Sequence, residues 1–277
     1  MYRSLRIVRI IISLIALAVP TWALVWGYES VFVRMQILTG LLSGVALCLV
    51  FWAVVTLIYG RIYCSTVCPM GTLMDCVGAA SRLAARRRPR FRFRPASGRT
   101  RAVFLAITFA TLLSGMSLLP TLLDPYSAYA RMVEELLMRP LGIHSASVRF
   151  SISALSVAVL TAAAVILVAR RNGRLICNTV CPVGTMLGCG SRRSYFHIEI
   201  DPDRCIGCGE CERVCKAQCI RLPEKEIDTS RCVVCFNCTA VCPNNAINYK
   251  SGRYRLGMPM VQSLDAAAKA TPPVKHS

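Results

Sequence analysis

The hydrophobic and polar positions divide the chain in two. Up to about residue 190, long apolar runs alternate with basic segments; beyond it, the apolar runs shorten and cysteines recur every third or fourth position. Four runs are long enough to cross a bilayer, which takes about 20 apolar residues. They cover 7–26, 37–59, 102–121 and 151–169. None contains an acid, and only the first contains a base, Arg9. Four such runs in one chain read as spans rather than as core helices. Further on, 195–200 and 246–250 alternate as strands do.

The bases between these runs set an orientation. Arg3, Arg6 and Arg9 precede or open the first run, ten arginines from Arg61 to Arg101 separate the second from the third, and Arg170, Arg171, Arg174, Arg192 and Arg193 follow the fourth. The positive-inside rule then predicts a multi-pass protein of the cell inner membrane, with both termini and the Arg-rich loop in the cytoplasm. Trp22, Trp26 and Tyr28 fall at the outer interface. Ala16-Leu17-Ala18 resembles a signal-peptide cleavage site, but the apolar run continues through Trp26, so the segment is read as an uncleaved anchor.

Composition agrees. The 277 residues are 55% hydrophobic and 17% charged, with mean hydropathy +0.50 and a net charge of +19. Soluble domains lie near roughly 45–50% apolar and about 25% charged. Between Glu199 and Tyr249 eight acids face six bases, so the positive excess lies beside the apolar runs. Such clusters contact anionic lipid headgroups. Phe91 and Phe93 interleave with Arg90, Arg92 and Arg94, which leaves a nucleic-acid arm as the minor alternative; no nucleic-acid partner is expected.

Two segments repeat at a constant offset. Residues 60–72, GRIYCSTVCPMGT, match 173–185, GRLICNTVCPVGT, and the offset of 113 also carries Cys76 onto Cys189. Each copy follows a pair of spans, so the units are parallel repeats about an axis along the membrane normal. Cys-x3-Cys sets two thiols on one face of a helical turn. Two copies supply four thiolates, Cys64, Cys68, Cys177 and Cys181, for one centre that suits an iron–sulfur cluster or zinc. The plainer reading makes them thiols packed at helix ends. Cys76, Cys189 and the mid-span Cys48 read as small buried packing residues.

The sharpest signal lies in the second part. Cys205-x2-Cys208-x2-Cys211-x3-Cys215 is followed by Cys232-x2-Cys235-x2-Cys238-x3-Cys242-Pro243. This is the spacing of two-cluster bacterial ferredoxins, in which the fourth cysteine of each run serves the other cluster. One [4Fe–4S] cluster is expected on Cys205, Cys208, Cys211 and Cys242, the other on Cys232, Cys235, Cys238 and Cys215. Gly207 and Gly209 let the backbone turn its amides toward the sulfides, with Asn237 expected to act similarly in the second run. Lys216 stands where a proline is expected. Cys219 reads as a spare ligand, a redox thiol or, more simply, a packed neighbour of the cluster.

The expected fold is therefore a membrane all-α domain, 1–190, of four transmembrane helices in two parallel repeats. A small α+β two-cluster ferredoxin-like domain, 195–250, follows on the cytoplasmic side, and then a disordered tail, 251–277. The combination resembles the NapH/MauN-type membrane polyferredoxins, related to NosR and CcoG, over about residues 1–250. The resemblance implies electron transfer between the quinone pool and a protein redox partner, a ferredoxin-type protein or c-type cytochrome. The alternative is a reductant for metalloenzyme maturation. His144, His197 and His276 lie outside the four runs, which leaves no His ligands for a b-type haem there. Asp75 and Tyr63 beside the first motif are candidates for accepting quinol protons; capping or interfacial residues is their simpler reading. Whether the protein is an enzyme or only a carrier stays open.

Overall fold

The computed structural model describes residues 2–26, 46–84, 91–95, 97–116, 118–142 and 151–252. The chain is mostly helical. Two helices are long and apolar enough to cross a bilayer among the described residues, Arg3–Trp26 and Ile152–Asn172. They belong to α1 (Tyr2–Trp26) and, further along, α8 (Ile152–Asn172). Of the expected second span only the C-terminal part is described, as α2 (Ala46–Tyr59). Large apolar side chains such as Ile11, Ile15, Phe51, Val54, Leu160 and Leu167 lie exposed on these three helices.

The expected third span, 102–121, is not a single helix. After the short α3 (Tyr63–Thr66) and α4 (Pro69–Ala84), α5 (Gly98–Leu113) starts at Ser97, whose side chain accepts from the amide of Thr100. It stops at Ser114, and Gly115 turns the backbone left-handed at φ 75°. Sixteen residues reach about 24 Å, short of the ~30 Å apolar core of a bilayer. A Ser-Gly pair ends a helix where hydropathy alone runs on. The chain resumes in α6 (Leu118–Leu123), α7 (Pro125–Val133) and a π-helical turn, Glu134–Met138. Asp124 caps α7 by accepting from the amide and hydroxyl of Ser127.

The segments that follow the two repeated motifs pack in a crossed way. α4 lies against α1 and α8, whereas α10 (Pro182–Ser191) lies against α5 and α2. Each thus rests on the first helix of its own half and the second helix of the other. Between α8 and α10 stands α9 (Leu175–Thr179), the counterpart of α3.

The cysteine-rich part pairs β1 (Phe196–Ile200) with β4 (Ile247–Ser251) antiparallel, Ile198 opposite Tyr249. Inside this pair lie α11 (Glu210–Val214), β2 (Ile220–Arg221), β3 (Glu226–Ile227) and α12 (Asn237–Val241), with β2 and β3 paired. The sheet docks on the end of α2: Phe196 stacks on Tyr59 and Tyr249, and the Tyr249 hydroxyl donates to the Tyr59 carbonyl at 3.2 Å. From the Arg-rich loop, 91–95 runs over this part as a strap. Phe91 is buried, the Phe93 amide donates to Glu212 at 2.8 Å, and Arg221 lies 4.7 Å over the Phe93 ring. The two aromatics are therefore taken up by the domain itself. The tail from residue 253 onward lies outside the described residues.

Candidate functional site

Two cavities open among the cysteines of the second part. The first is lined by Cys205, Cys208, Cys211 and Cys242, with Gly207 and Pro243 among its walls. The second is lined by Cys232, Cys235, Cys238 and Cys215, with Cys219 as a fifth thiol. The spacing rule thus sorts the eight cysteines as the cavities do. Among the described residues no three His, Cys, Asp or Glu side chains gather closely enough to hold a single metal ion. A tetrahedral zinc would draw its thiolates to within about 3.8 Å of one another. Four thiols around one cavity are the donor set that a [4Fe–4S] cube takes.

The backbone around each cavity carries the same bend. Gly207 and Gly209 have φ of 71° and 78°, and their counterparts 27 positions on are Val234 and Phe236, at 49° and 56°. Asn237, expected in that role, instead opens α12 and lines the second cavity. Left-handed backbone at a β-branched valine is rare, so geometry overrides residue type here. Cys219 is buried with its sulfur 3.6 Å from that of Cys215.

The paired motifs form a third group. Cys64, Cys68, Cys177 and Cys181 are all buried. Cys68 lies within electrostatic reach of the other three, as do Cys177 and Cys181 of Cys64. The four do not sit on single helical turns. Each second cysteine precedes a proline, which disfavours helix at the residue before it, and so begins a new helix. Cys181 caps α10, its sulfur accepting from the amide of Gly184 at 3.3 Å. Burial drives the Cys177 thiol up to about 11. Burial likewise raises Cys68 and Cys181; a bound metal would hold such thiols as thiolates.

Contacts between the motifs are reciprocal. Arg61 donates to the carbonyl of Cys177 at 3.3 Å, and Arg174 donates to the carbonyl of Cys64. Each carbonyl also faces the glycine of its own motif copy, which in turn lies against the arginine of the other copy. A Cβ at Gly71 would lie 2.6 Å from the Cys64 oxygen, and one at Gly184 would strike the Cys177 oxygen and come within 2.8 Å of Arg61. All three pairs, 61 and 174, 64 and 177, 71 and 184, stand 113 positions apart.

Buried positive charge surrounds this group. Arg61 and Arg174 are 0% exposed, Arg9 6% and Lys216 8%. Asp75 is the carboxylate of three of them, 2.7 Å from Arg174, 2.5 Å from Lys216 and 3.3 Å from Arg9. Arg61 reaches Asn178 Oδ1 at 2.8 Å, the Ser230 carbonyl at 3.0 Å and the Cys64 sulfur at 3.8 Å, and its Nε has no partner. Three buried cations on one carboxylate, with Arg61 beside them, leave positive charge in excess, and burying such charge is costly. The negative charge of a centre held by four thiolates would offset that cost, so the residues present fit a four-thiolate metal centre.

Other candidates land elsewhere. Asp75 is enclosed by cations: burial alone would raise its pKa, but Arg174 and Lys216 outweigh burial and hold the carboxyl well below the usual range. Tyr63 is buried, its ring edge-on to Trp52 at 4.7 Å. Cys76 and Cys189, expected inside, are exposed. Eight residues at about 100° each rotate them ~80° off the face of the second thiol. Sequence reading passed over Arg61 and Arg174 because arginines beside apolar runs look like orienting charge; their place inside both repeated motifs was the available signal.

Residues 42–92 and 153–198 each match one and the same 4Fe-4S binding domain, and residues 197–220 match a second domain of that description. The chain carries 4Fe-4S binding domains of the ferredoxin type. The first two segments contain the paired motifs and the third the run from Cys205 to Cys215. An uncharacterized protein of Methanocaldococcus jannaschii is 45% identical over 49 residues, 18% of this chain and 20% of its own length. YccM of Escherichia coli (strain K12), described as a candidate electron transport protein, is 28% identical over 196 residues, 67% of this chain and 50% of its own length. The chain thus spans half or less of these relatives. No solved structure matches.

Proposed function

We propose that this protein is a membrane-anchored iron–sulfur electron carrier with three centres. Cys205, Cys208, Cys211 and Cys242 would hold one [4Fe–4S] cluster, Cys232, Cys235, Cys238 and Cys215 a second, and Cys64, Cys68, Cys177 and Cys181 a third. Such clusters take up and release one electron at a time. The observation that carries this reading is that thiols of all three sets meet in one contiguous core, with only Cys208 of the twelve left at the surface. The domain matches support the cofactor, and the description of YccM supports electron transport.

The chain's own residues do the rest. Arg61 and Arg174 lend positive charge to the motif thiolates, the Ala246 amide donates to the Cys242 sulfur of the first cavity, and packed α1, α4 and α8 keep water from the motif. The membrane setting is inferred from α1, α2 and α8 with their exposed apolar faces and from the arginine distribution. It favours two parallel repeats, with α5 standing in the place of the third span but too short to cross alone, and with both termini and the ferredoxin-like part cytoplasmic. The crossed packing of α4 and α10 supports the repeat. From this setting, and from the resemblance to NapH/MauN-type proteins, we infer a quinone-pool partner on one side and a protein redox partner on the other.

Anaerobic purification of the full chain in detergent tests the cofactors: brown protein with iron and acid-labile sulfide in equal amounts is expected, and colourless, iron-free protein overturns the reading. Addition of a reduced quinol analogue should bleach the visible absorbance; clusters left oxidised would remove the quinol partner.

A further inference from the structure

Lys216 occupies the place after the fourth cysteine of the first run, where the second run has Pro243. A proline there has no side-chain charge and no amide proton. The lysine instead turns inward and pairs with Asp75 at 2.5 Å, on the far side of the domain junction. Its carbonyl accepts from the Arg174 amide at 2.9 Å. Next to it, the Ala217 carbonyl accepts from Asn178 Nδ2 at 3.1 Å, and Gln218 donates to the Asn172 carbonyl at 3.3 Å. The segment that carries Cys215 of the second cavity therefore sits directly on the segment that carries Cys177 of the motif group. Arg174 faces both: it binds the Cys64 carbonyl and Asp75, and it lies within electrostatic reach of Cys177 and of Cys235. Lys216 likewise reaches Cys235. The first cavity has no part in this junction; its walls are Arg204, Ile206, Asn244 and other residues of its own domain.

We propose that Asp75, Lys216 and Arg174 form one electrostatic junction that sets the reduction potentials of the motif centre and the second-cavity cluster together, and leaves the first-cavity cluster unaffected. The inference rests on the three-centre reading above. The sign follows from Coulomb's law. Reduction adds a negative charge, so a nearby cation favours it and a nearby carboxylate opposes it. The low dielectric of this buried junction makes each charge count more than it would in water.

These three are positioning residues, and potentials report them better than turnover does. The experiment is a potentiometric EPR titration of the anaerobically purified full chain, with signals assigned through Cys64→Ser, Cys211→Ser and Cys238→Ser variants. Asp75→Asn should raise the potentials of the motif and second-cavity centres and leave that of the first cavity at its wild-type value. Lys216→Met should lower the same two, the second cavity most, and Lys216→Arg should restore both. Equal shifts in all three centres, or none, would overturn the junction. If Asp75→Asn fails to assemble, the Lys216 pair decides alone. If the motif proves free of iron in the wild-type protein, the three-centre reading fails, and the second-cavity potential in Lys216→Met still decides whether the charge at 216 acts on that cluster.

Discussion

The first cavity and the paired motifs both gather four thiols, and they deal with the resulting negative charge in opposite ways. The cavity draws three of its cysteines from one short run, bends the backbone at Gly207 and Gly209, and sets a main-chain amide, that of Ala246, 3.3 Å from the Cys242 sulfur. Cys208 stays exposed, and solvent supplies further screening. The motif group takes two thiols from each half of the chain and buries all four. Water cannot screen that group, and guanidinium side chains replace it. A local fold can use its own backbone dipoles; a site assembled across two halves needs full charges from side chains.

If that contrast is right, removing motif thiols should cost one centre and spare the others. The Cys64→Ser, Cys177→Ser double variant should lose the motif iron while both cavity clusters keep their EPR signals. Iron analysis with EPR on the same sample checks it. Unchanged iron in the double variant would show that the four thiols are packing residues, and the comparison would lose one of its sides.

Next in size is the close approach across the motif. Gly184→Ala should destabilise by about 1–3 kcal/mol through overpacking, since its Cβ meets both the Cys177 carbonyl and Arg61. Gly71→Ala should cost less, because the Arg174 nitrogen lies 3.3 Å from that Cβ. Chemical denaturation followed by the visible cluster absorbance measures both. Equal effects would deny the tighter fit on the Arg61 side.

Much of this was legible because the chemistry sits in short-range spacing. The two Cys-x2-Cys-x2-Cys-x3-Cys runs sort into the cavities from arithmetic alone, and the 113-residue offset pairs the motifs. What was not legible depends on contacts between distant segments. Lys216 in a proline position looks like a defect until Asp75, 141 residues earlier, is seen beside it. The third apolar run reads as a span because hydropathy averages over Ser114 and Gly115, two residues that end α5. Cys76 and Cys189 look buried from their repetition, yet helical phase turns them outward. Phe91 and Phe93 look like surface aromatics in a basic tract, and only the docked domain gives them a place to go.

The Asp75 tie gives a smaller and more specific test. Its folded pKa is depressed, so its contribution to stability is fully present above the unfolded value of about 3.9 and is lost only as pH falls through the folded one. From pH 8 to pH 5 the stability difference between wild type and Asp75→Asn should therefore stay constant. Denaturation at several pH values in this window measures it. A gap that narrows toward pH 5 would mean that the carboxyl titrates there and that Arg174 and Lys216 do not hold it.

The smallest effect concerns the backbone of the cavity. At Gly207 an added Cβ meets nothing within 4 Å, so Gly207→Ala changes only the conformational preference at φ 71°. Left-handed backbone costs a non-glycine residue roughly 1–2 kcal/mol. Asn visits this region more readily than Ala, so Gly207→Asn should lose less. Val234 adopts the same conformation in the second run with 3% exposure, where burial of its side chain offsets part of the strain. The exposed first run has no such offset, and its glycine is the cheaper solution. Denaturation of the two variants, read at the first-cluster signal, should rank wild type above Asn and Asn above Ala. Ala equal to wild type would mean that the turn does not need its glycine, and the backbone half of the comparison would fall.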